Sequence, residues 1–208
     1  MFDARARRLL GPTLDRVAAR LSDLGVPPLT LTVAGWLAGV AACVAVAQQA
    51  WTLGLVLWLA NRLLDGLDGP VARRRGATDL GGFLDIVADF SIYAGFVVAV
   101  AIAVPEARLG CVALLTAYYV SGTAFLALSS LVERRGGDLA RGLGGGHTGD
   151  GRSLRFVGGL AEGAETVLVY ALICLVPGWA VGLVWVFTAA VAVTAVQRIV
   201  LGVRLLAR

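Results

Sequence analysis

At 208 residues, 58% of them hydrophobic and 15% charged, with a mean hydropathy of +0.82, the chain is too apolar for a water-soluble domain and has the composition of a membrane protein. A formal charge of +4 and a pI of about 9.4 would suit nucleic acid, but the arginines gather at the ends of apolar stretches, where anionic lipid headgroups lie. The lipid bilayer is therefore the predicted partner, and nucleic acid is not.

The first segment, "MFDARARRLLGPTLDRVAARLSDLGV", has no apolar core of signal length and carries arginines throughout, so it does not read as a secretory signal. Leu9, Leu10, Leu14, Val17, Ala18 and Leu21 recur at helical spacing, with Arg16 and Arg20 elsewhere on the wheel. Residues 1–26 are predicted to form an amphipathic helix in the membrane surface, broken at Gly11 and Pro12.

Apolar stretches follow at 30–48, 51–64, 83–105, 109–132, 156–176 and 179–203, each near or above the roughly 20 residues a helix needs to cross hydrocarbon. The second is short and has to continue through Asp65 and Asp68, which makes its lower end polar. The predicted fold is an all-α integral membrane protein, one domain over 1–208, with six transmembrane helices over 28–206 preceded by the N-terminal interfacial helix. Arginines fall in the N-terminal segment, at 73–75, in the 133–155 loop and at the C-terminus, while the other short loops carry only Arg108. By the positive-inside rule both termini and the arginine-rich loops face the cytoplasm of an inner membrane. Cys43, Cys111 and Cys174 lie one per apolar stretch, without metal-ligand spacing, and read as packing residues. His147 stands alone in "GLGGGHTGDG", whose spacing does not fit a phosphate-binding Walker loop.

The charge inside the apolar chain is concentrated in "NRLLDGLDGPVARRRGATDLGGFLDIVAD", residues 61–89. Asp65 and Asp68 share one helix face, as do Asp85 and Asp89. Gly69, Pro70 and the connection after them are predicted to end one helix and begin the next, bringing the two pairs together. Four carboxylates in one place repel unless cations neutralise them, and ionised groups inside a membrane are expensive. Oxygen-only ligands select hard cations such as Mg²⁺, Mn²⁺ or Ca²⁺. Two such ions suit a diphosphate undergoing displacement at phosphorus. The bland alternative is that the acids pair with Arg62, Arg73, Arg74 and Arg75 at a solvated helix end. It weakens because the acids continue inward to Asp89 and no basic residue follows before Arg108, so Asp89 is expected to be unpaired.

This stretch resembles the signature of the CDP-alcohol phosphatidyltransferase family, D-x-x-D-G-x-x-A-R, seven or eight residues, then G-x-x-x-D-x-x-x-D. Asp65, Asp68, Gly69, Ala72, Arg73, Gly81, Asp85 and Asp89 all stand in place, with seven residues between the halves. The six spans and the surface helix are also similar to that family's architecture. The resemblance implies that Asp65, Asp68, Asp85 and Asp89 hold two divalent cations, Mg²⁺ or Mn²⁺. It further implies that Asp89 is the general base taking a proton from an alcohol, whose oxygen attacks the β-phosphorus of a CDP-activated lipid such as CDP-diacylglycerol and releases CMP. The nucleotide site implied by the family comprises Thr32, Gly69, Ala72, Arg73, Gly81 and Thr78, the last of which also reads as an ordinary loop threonine. "PLTLTVAG" resembles the family's P-N-x-L-T-x-x-G, with Pro28, Thr32 and Gly35 in place. Leu29 stands where the family has asparagine, and Thr30 is the neighbouring polar group able to replace it. The family resemblance also implies a homodimer.

For the acceptor alcohol, Glu162 and Glu165 share a face of the fifth stretch, and family members using phosphorylated acceptors often carry arginines beside such acids. Here those places are Gly163 and Thr166, which favours a neutral or cationic alcohol. Arg134, Arg135, Arg141, Arg152, Arg155 and Arg198 are the contrary candidates, and glycerol 3-phosphate is the alternative acceptor. Glu162 and Glu165 also read as partners of Arg155 or Arg198 across helices. A divalent-cation transporter using the same acids is the alternative of another class. It would spread polar groups along a route across the membrane and show broken helices in repeated halves, whereas these acids cluster at one end of the spans.

Overall fold

The computed structural model describes residues 2–135 and 163–207, with side chains described from Gly11 onward except those of 132, 133 and 135. The described residues are helical throughout: α1 (Phe2–Asp23), α2 (Pro28–Ala47), α3 (Trp51–Arg75), α4 (Asp79–Ala103), α5 (Arg108–Arg135), α6 (Gly163–Leu175) and α7 (Ala180–Leu206). Single 3₁₀ turns at Pro105–Ala107 and Pro177–Trp179 start the chain on α5 and α7, as proline at a first helical position favours.

Among the described residues, Pro28–Ala47, Asp79–Ala103, Pro105–Leu131 and Pro177–Leu206 are long and apolar enough to cross a membrane. α6 is apolar but has 13 described residues. α3 has 25 residues, yet its second half carries Arg62, Asp65, Asp68 and Arg73–Arg75, so composition alone does not mark it as a span.

Two breaks expected from prolines are absent. α1 runs unbroken through Gly11 and Pro12, and α3 continues through Gly69 and Pro70 to Arg75. Proline removes one backbone hydrogen bond and crowds the carbonyl four residues earlier; at Pro70 that residue is Gly66, which has no side chain of its own. The chain turns instead at Gly76, whose φ of +99° is open to glycine and strained for other residues. Thr78 then caps α4, its Oγ1 accepting from the Gly81 N–H at 3.1 Å.

α2, α3 and α4 form one packed group and α5 packs on α7; α6 contacts α3, and α4 contacts α5 to join the halves. Gly39 lets α2 approach closely, since a Cβ there would sit 2.8 Å from Ile92 Cγ1 and 3.0 Å from Asn61 Nδ2. Gln49 Nε2 donates to the Ala103 carbonyl at 2.9 Å, tying the far ends of α2 and α4. The core between the halves is aromatic: Phe96 stacks on Tyr170 with centroids 4.2 Å apart, and Trp58 lies 5.4 Å from Phe96 and 5.1 Å from Tyr170. Their polar atoms are satisfied, with Trp58 Nε1 donating to the Val167 carbonyl at 3.2 Å and the Tyr170 hydroxyl to the Tyr93 carbonyl at 2.9 Å. A second apolar cluster, Ala18, Leu31, Leu67 and Val71, seats α1 against α2 and α3. Cys111 and Cys174 are buried and Cys43 is half-buried, all free thiols, in keeping with packing roles.

Candidate active site

Helical spacing puts the acids of α3 and α4 on facing surfaces. Carboxylate oxygens of Asp65, Asp68 and Asp85 all lie within 4.8 Å of one another. Opposite ligands of one octahedral Mg²⁺ lie about 4.2 Å apart, at roughly 2.1 Å per bond, so the three acids need little closing to share an ion. The donor set is all oxygen and carries an excess of negative charge. Both properties fit a divalent cation. Asp68 is the most enclosed of the acids, at 7% exposure, and its Oδ2 accepts from Thr32 Oγ1 at 2.8 Å. That bond fixes one carboxylate oxygen from α2, outside the two helices that carry the acids.

Asp89, one turn beyond Asp85, is not unpaired as its surroundings in sequence suggest. Arg62 Nη2 donates to Asp89 Oδ1 at 2.9 Å, and Nη1 lies 3.4 Å from Asp65 Oδ2. Nη1 also donates to the Tyr93 hydroxyl at 3.0 Å and Nε to Asn61 Oδ1 at 2.7 Å. The sequence cue was the spacing of Arg62 and Asp65, three apart on one helix face. Its reach to α4 carried no such cue. Arg73, Arg74 and Arg75 are exposed at the end of α3, and Arg74 Nη2 donates to the Asp15 carbonyl of α1 at 3.4 Å.

The acids open onto a cleft of about 1670 Å³ whose wall includes Thr32, Gly69, Ala72, Arg73, Thr78 and Gly81 as well as Asp65, Asp68, Asp85 and Asp89. The four aspartates and the glycines, alanine, arginine and threonines anticipated for the nucleotide side are thus brought to one surface, while Gly35 and Thr30 of the upstream motif are not on it. Leu29 lines the cleft too. Farther along, α5, α6 and α7 contribute Ser121, Gly163, Thr166 and Arg198. Arg198 Nη1 donates to Ser121 Oγ at 2.9 Å, and its guanidinium lies 5.1 Å from the Phe125 ring centroid. Glu165 is half-buried on α6 and Arg134 is exposed on α5; neither belongs to the cleft wall. Glu162, Arg155, His147 and the rest of the 136–162 stretch lie outside the described residues.

The family model for CDP-alcohol phosphatidyltransferase matches residues 26–197, and the chain belongs to that enzyme family. It is similar to the inner membrane protein YnjF of Escherichia coli, 38% identical over 200 residues that cover 96% of this chain and 94% of the relative. It is also 38% identical over 84 residues to an archaetidylinositol phosphate synthase of Methanothermobacter thermautotrophicus, covering 40% of each chain. In fold it resembles the crystal structure of Mycobacterium tuberculosis phosphatidylinositol phosphate synthase PgsA1 with CDP-DAG bound, with a TM-score of 0.69, 22% identity, and coverage of 91% of this chain and 93% of that one.

Proposed function

We propose that the protein makes phospholipid by transferring the phosphatidyl group of a CDP-activated lipid, CDP-diacylglycerol, to an alcohol, releasing CMP. The observation that carries this reading is the convergence of Asp65, Asp68 and Asp85 on a cleft whose wall also holds Asp89 and the glycine, alanine and arginine of the same motif. Two divalent ions, Mg²⁺ or Mn²⁺, held by the four aspartates, would offset charge on the diphosphate and on the departing CMP. Asp89 takes the proton of the acceptor hydroxyl, the new oxygen–phosphorus bond forms at the β-phosphorus, and the bond to the α-phosphate oxygen breaks. Arg73 pairs with phosphate. Gly69 fits the nucleotide end, because among the described residues a Cβ there would meet only Arg73 Nη1, at 3.4 Å. The fold leaves that space to a ligand.

The acceptor is read from the far wall. Gly163 and Thr166 face the cleft where arginines would serve a phosphate, which supports a neutral or cationic alcohol; Arg198 on the same cleft supports glycerol 3-phosphate or another phosphorylated acceptor, as do the names of the archaeal and mycobacterial relatives. Purified protein given CDP-diacylglycerol, Mg²⁺ or Mn²⁺ and a panel of alcohols should release CMP with one acceptor class. Release confined to phosphorylated alcohols overturns the neutral-acceptor reading, and none with any acceptor removes the proposed reaction.

In the membrane, α3 and the fifth stretch complete a six-span arrangement, residues 1–26 lie in the interface, and the acids face the cytoplasm. The whole chain acts as one domain in a homodimer, a state that light scattering on the purified protein checks. Topology is tested by cysteine labelling in intact cells. Gly145→Cys should react only when the cytoplasmic face is exposed, and Glu106→Cys from the outer face; the opposite pattern inverts the site.

A further inference from the structure

Arg62 is built in, unlike an arginine that drifts among surface partners. Its side chain is 9% exposed, and its guanidinium lies 4.9 Å from the Trp58 ring centroid and 5.1 Å from that of Tyr93. Nε is held by Asn61 Oδ1 at 2.7 Å, and Asn61 is itself fixed by donating from Nδ2 to the Gly35 carbonyl at 2.8 Å. Aromatic rings and the Asn61 bond thus anchor the group, while Nη1 and Nη2 face Asp65 and Asp89. The converging metal-type oxygens belong to Asp65, Asp68 and Asp85; Arg62 grips Asp89 more closely, at 2.9 Å, than Asp65, at 3.4 Å.

We propose that Arg62 is a fixed positive charge and positioning residue that holds Asp89 and makes the two divalent-ion positions unequal. The ion held by Asp65, Asp68 and Asp85 binds tightly. The ion that shares Asp89 is opposed more strongly by the guanidinium, which sits closer to Asp89 than to Asp65, and is held firmly only when the donor diphosphate adds its own oxygens. This rests on the two-ion reading above, and it gives that reading an order of assembly, with metal before lipid and lipid before the second metal.

The test is Mn²⁺ binding to purified full-length protein in detergent without lipid substrate, followed through the paramagnetic resonance of free Mn²⁺. The wild type should bind one ion per chain at least about tenfold more tightly than the second, and CDP-diacylglycerol should tighten the second. Arg62→Met, close in length but uncharged, should bring the two affinities to within about threefold, and Arg62→Lys should restore the inequality. Should the methionine variant fail to fold, Arg62→Gln, which keeps a hydrogen bond to Asn61 without the charge, gives the same reading. Equal affinities in the wild type, or a folded lysine variant that behaves like methionine, overturn the role of Arg62 and leave the two-ion reading standing. A wild type that binds no Mn²⁺ even with CDP-diacylglycerol present removes the two-ion reading itself.

Discussion

Asp89→Asn should lower turnover by about 10² to 10⁴, the usual contribution of a general base, while leaving CDP-lipid binding within about threefold of wild type. The substitution is nearly isosteric. The amide oxygen can still accept from Arg62 Nη2, which grips Asp89 Oδ1 at 2.9 Å, so the local packing is kept and the capacity to take a proton is lost. Measuring CMP release alongside equilibrium binding of a CDP-lipid separates the two effects. A loss of less than tenfold would contradict the assignment, and a parallel collapse of donor binding would make Asp89 chiefly a ligand.

Asp68→Asn should act differently, weakening metal and donor together. Asp68 is enclosed, at 7% exposure, and shares the convergent set with Asp65 and Asp85, so in the proposed site removing its charge replaces an anionic ligand of the first ion by a weaker neutral one. Even partners one step behind a metal ligand are worth about 10- to 100-fold in affinity, and a direct ligand should be worth at least about 100-fold. Thr32→Val supplies the graded comparison. It deletes the 2.8 Å bond to Asp68 Oδ2 but leaves the carboxylate, so its loss should fall in the 10- to 100-fold range. Mn²⁺ titration and the Mn²⁺ dependence of activity report both, and exhaustive chelation of the wild type should abolish turnover. Activity that survives chelation, with no metal detectable in the protein, rules out the ion-assisted reaction.

The acid cluster was legible in the sequence because its spacing along each helix is local. Two acids three apart and two acids four apart put each pair on one helix face, and the packing of α3 and α4 on α2 brings Asp65, Asp68 and Asp85 together. What closes the site is not local. Thr32 reaches Asp68 from 36 positions away and Arg62 reaches Asp89 from 27 away, contacts that only the packing of three helices creates. For that reason Asp89 looked unpaired from its own helix. The far wall draws Ser121, Thr166 and Arg198 from three different helices with no shared spacing, while Glu165, the more conspicuous residue in sequence, lies off it. The helix ends were misplaced for a related reason. Proline at positions 12 and 70 is a local stop signal, but α1 and α3 are each held by packing around Ala18, Leu67 and Val71, and tertiary packing overrides a local preference.

Trp58 lies seven residues before Asp65 on α3, and Phe96 seven after Asp89 on α4, about 10 Å beyond the acids at 1.5 Å per residue. Together with Tyr170 these rings are buried at 0–1% exposure and fill the space between α3, α4 and α6. In the proposed six-span arrangement, this block would act as electrical insulation. An enzyme that draws metal ions partway into a bilayer risks becoming a leak for the ion gradients the cell maintains. Close-packed rings whose polar atoms are already bonded within the protein would offer such ions no onward ligands, and in the proposed mechanism would confine their entry and exit to the face at which the substrates arrive.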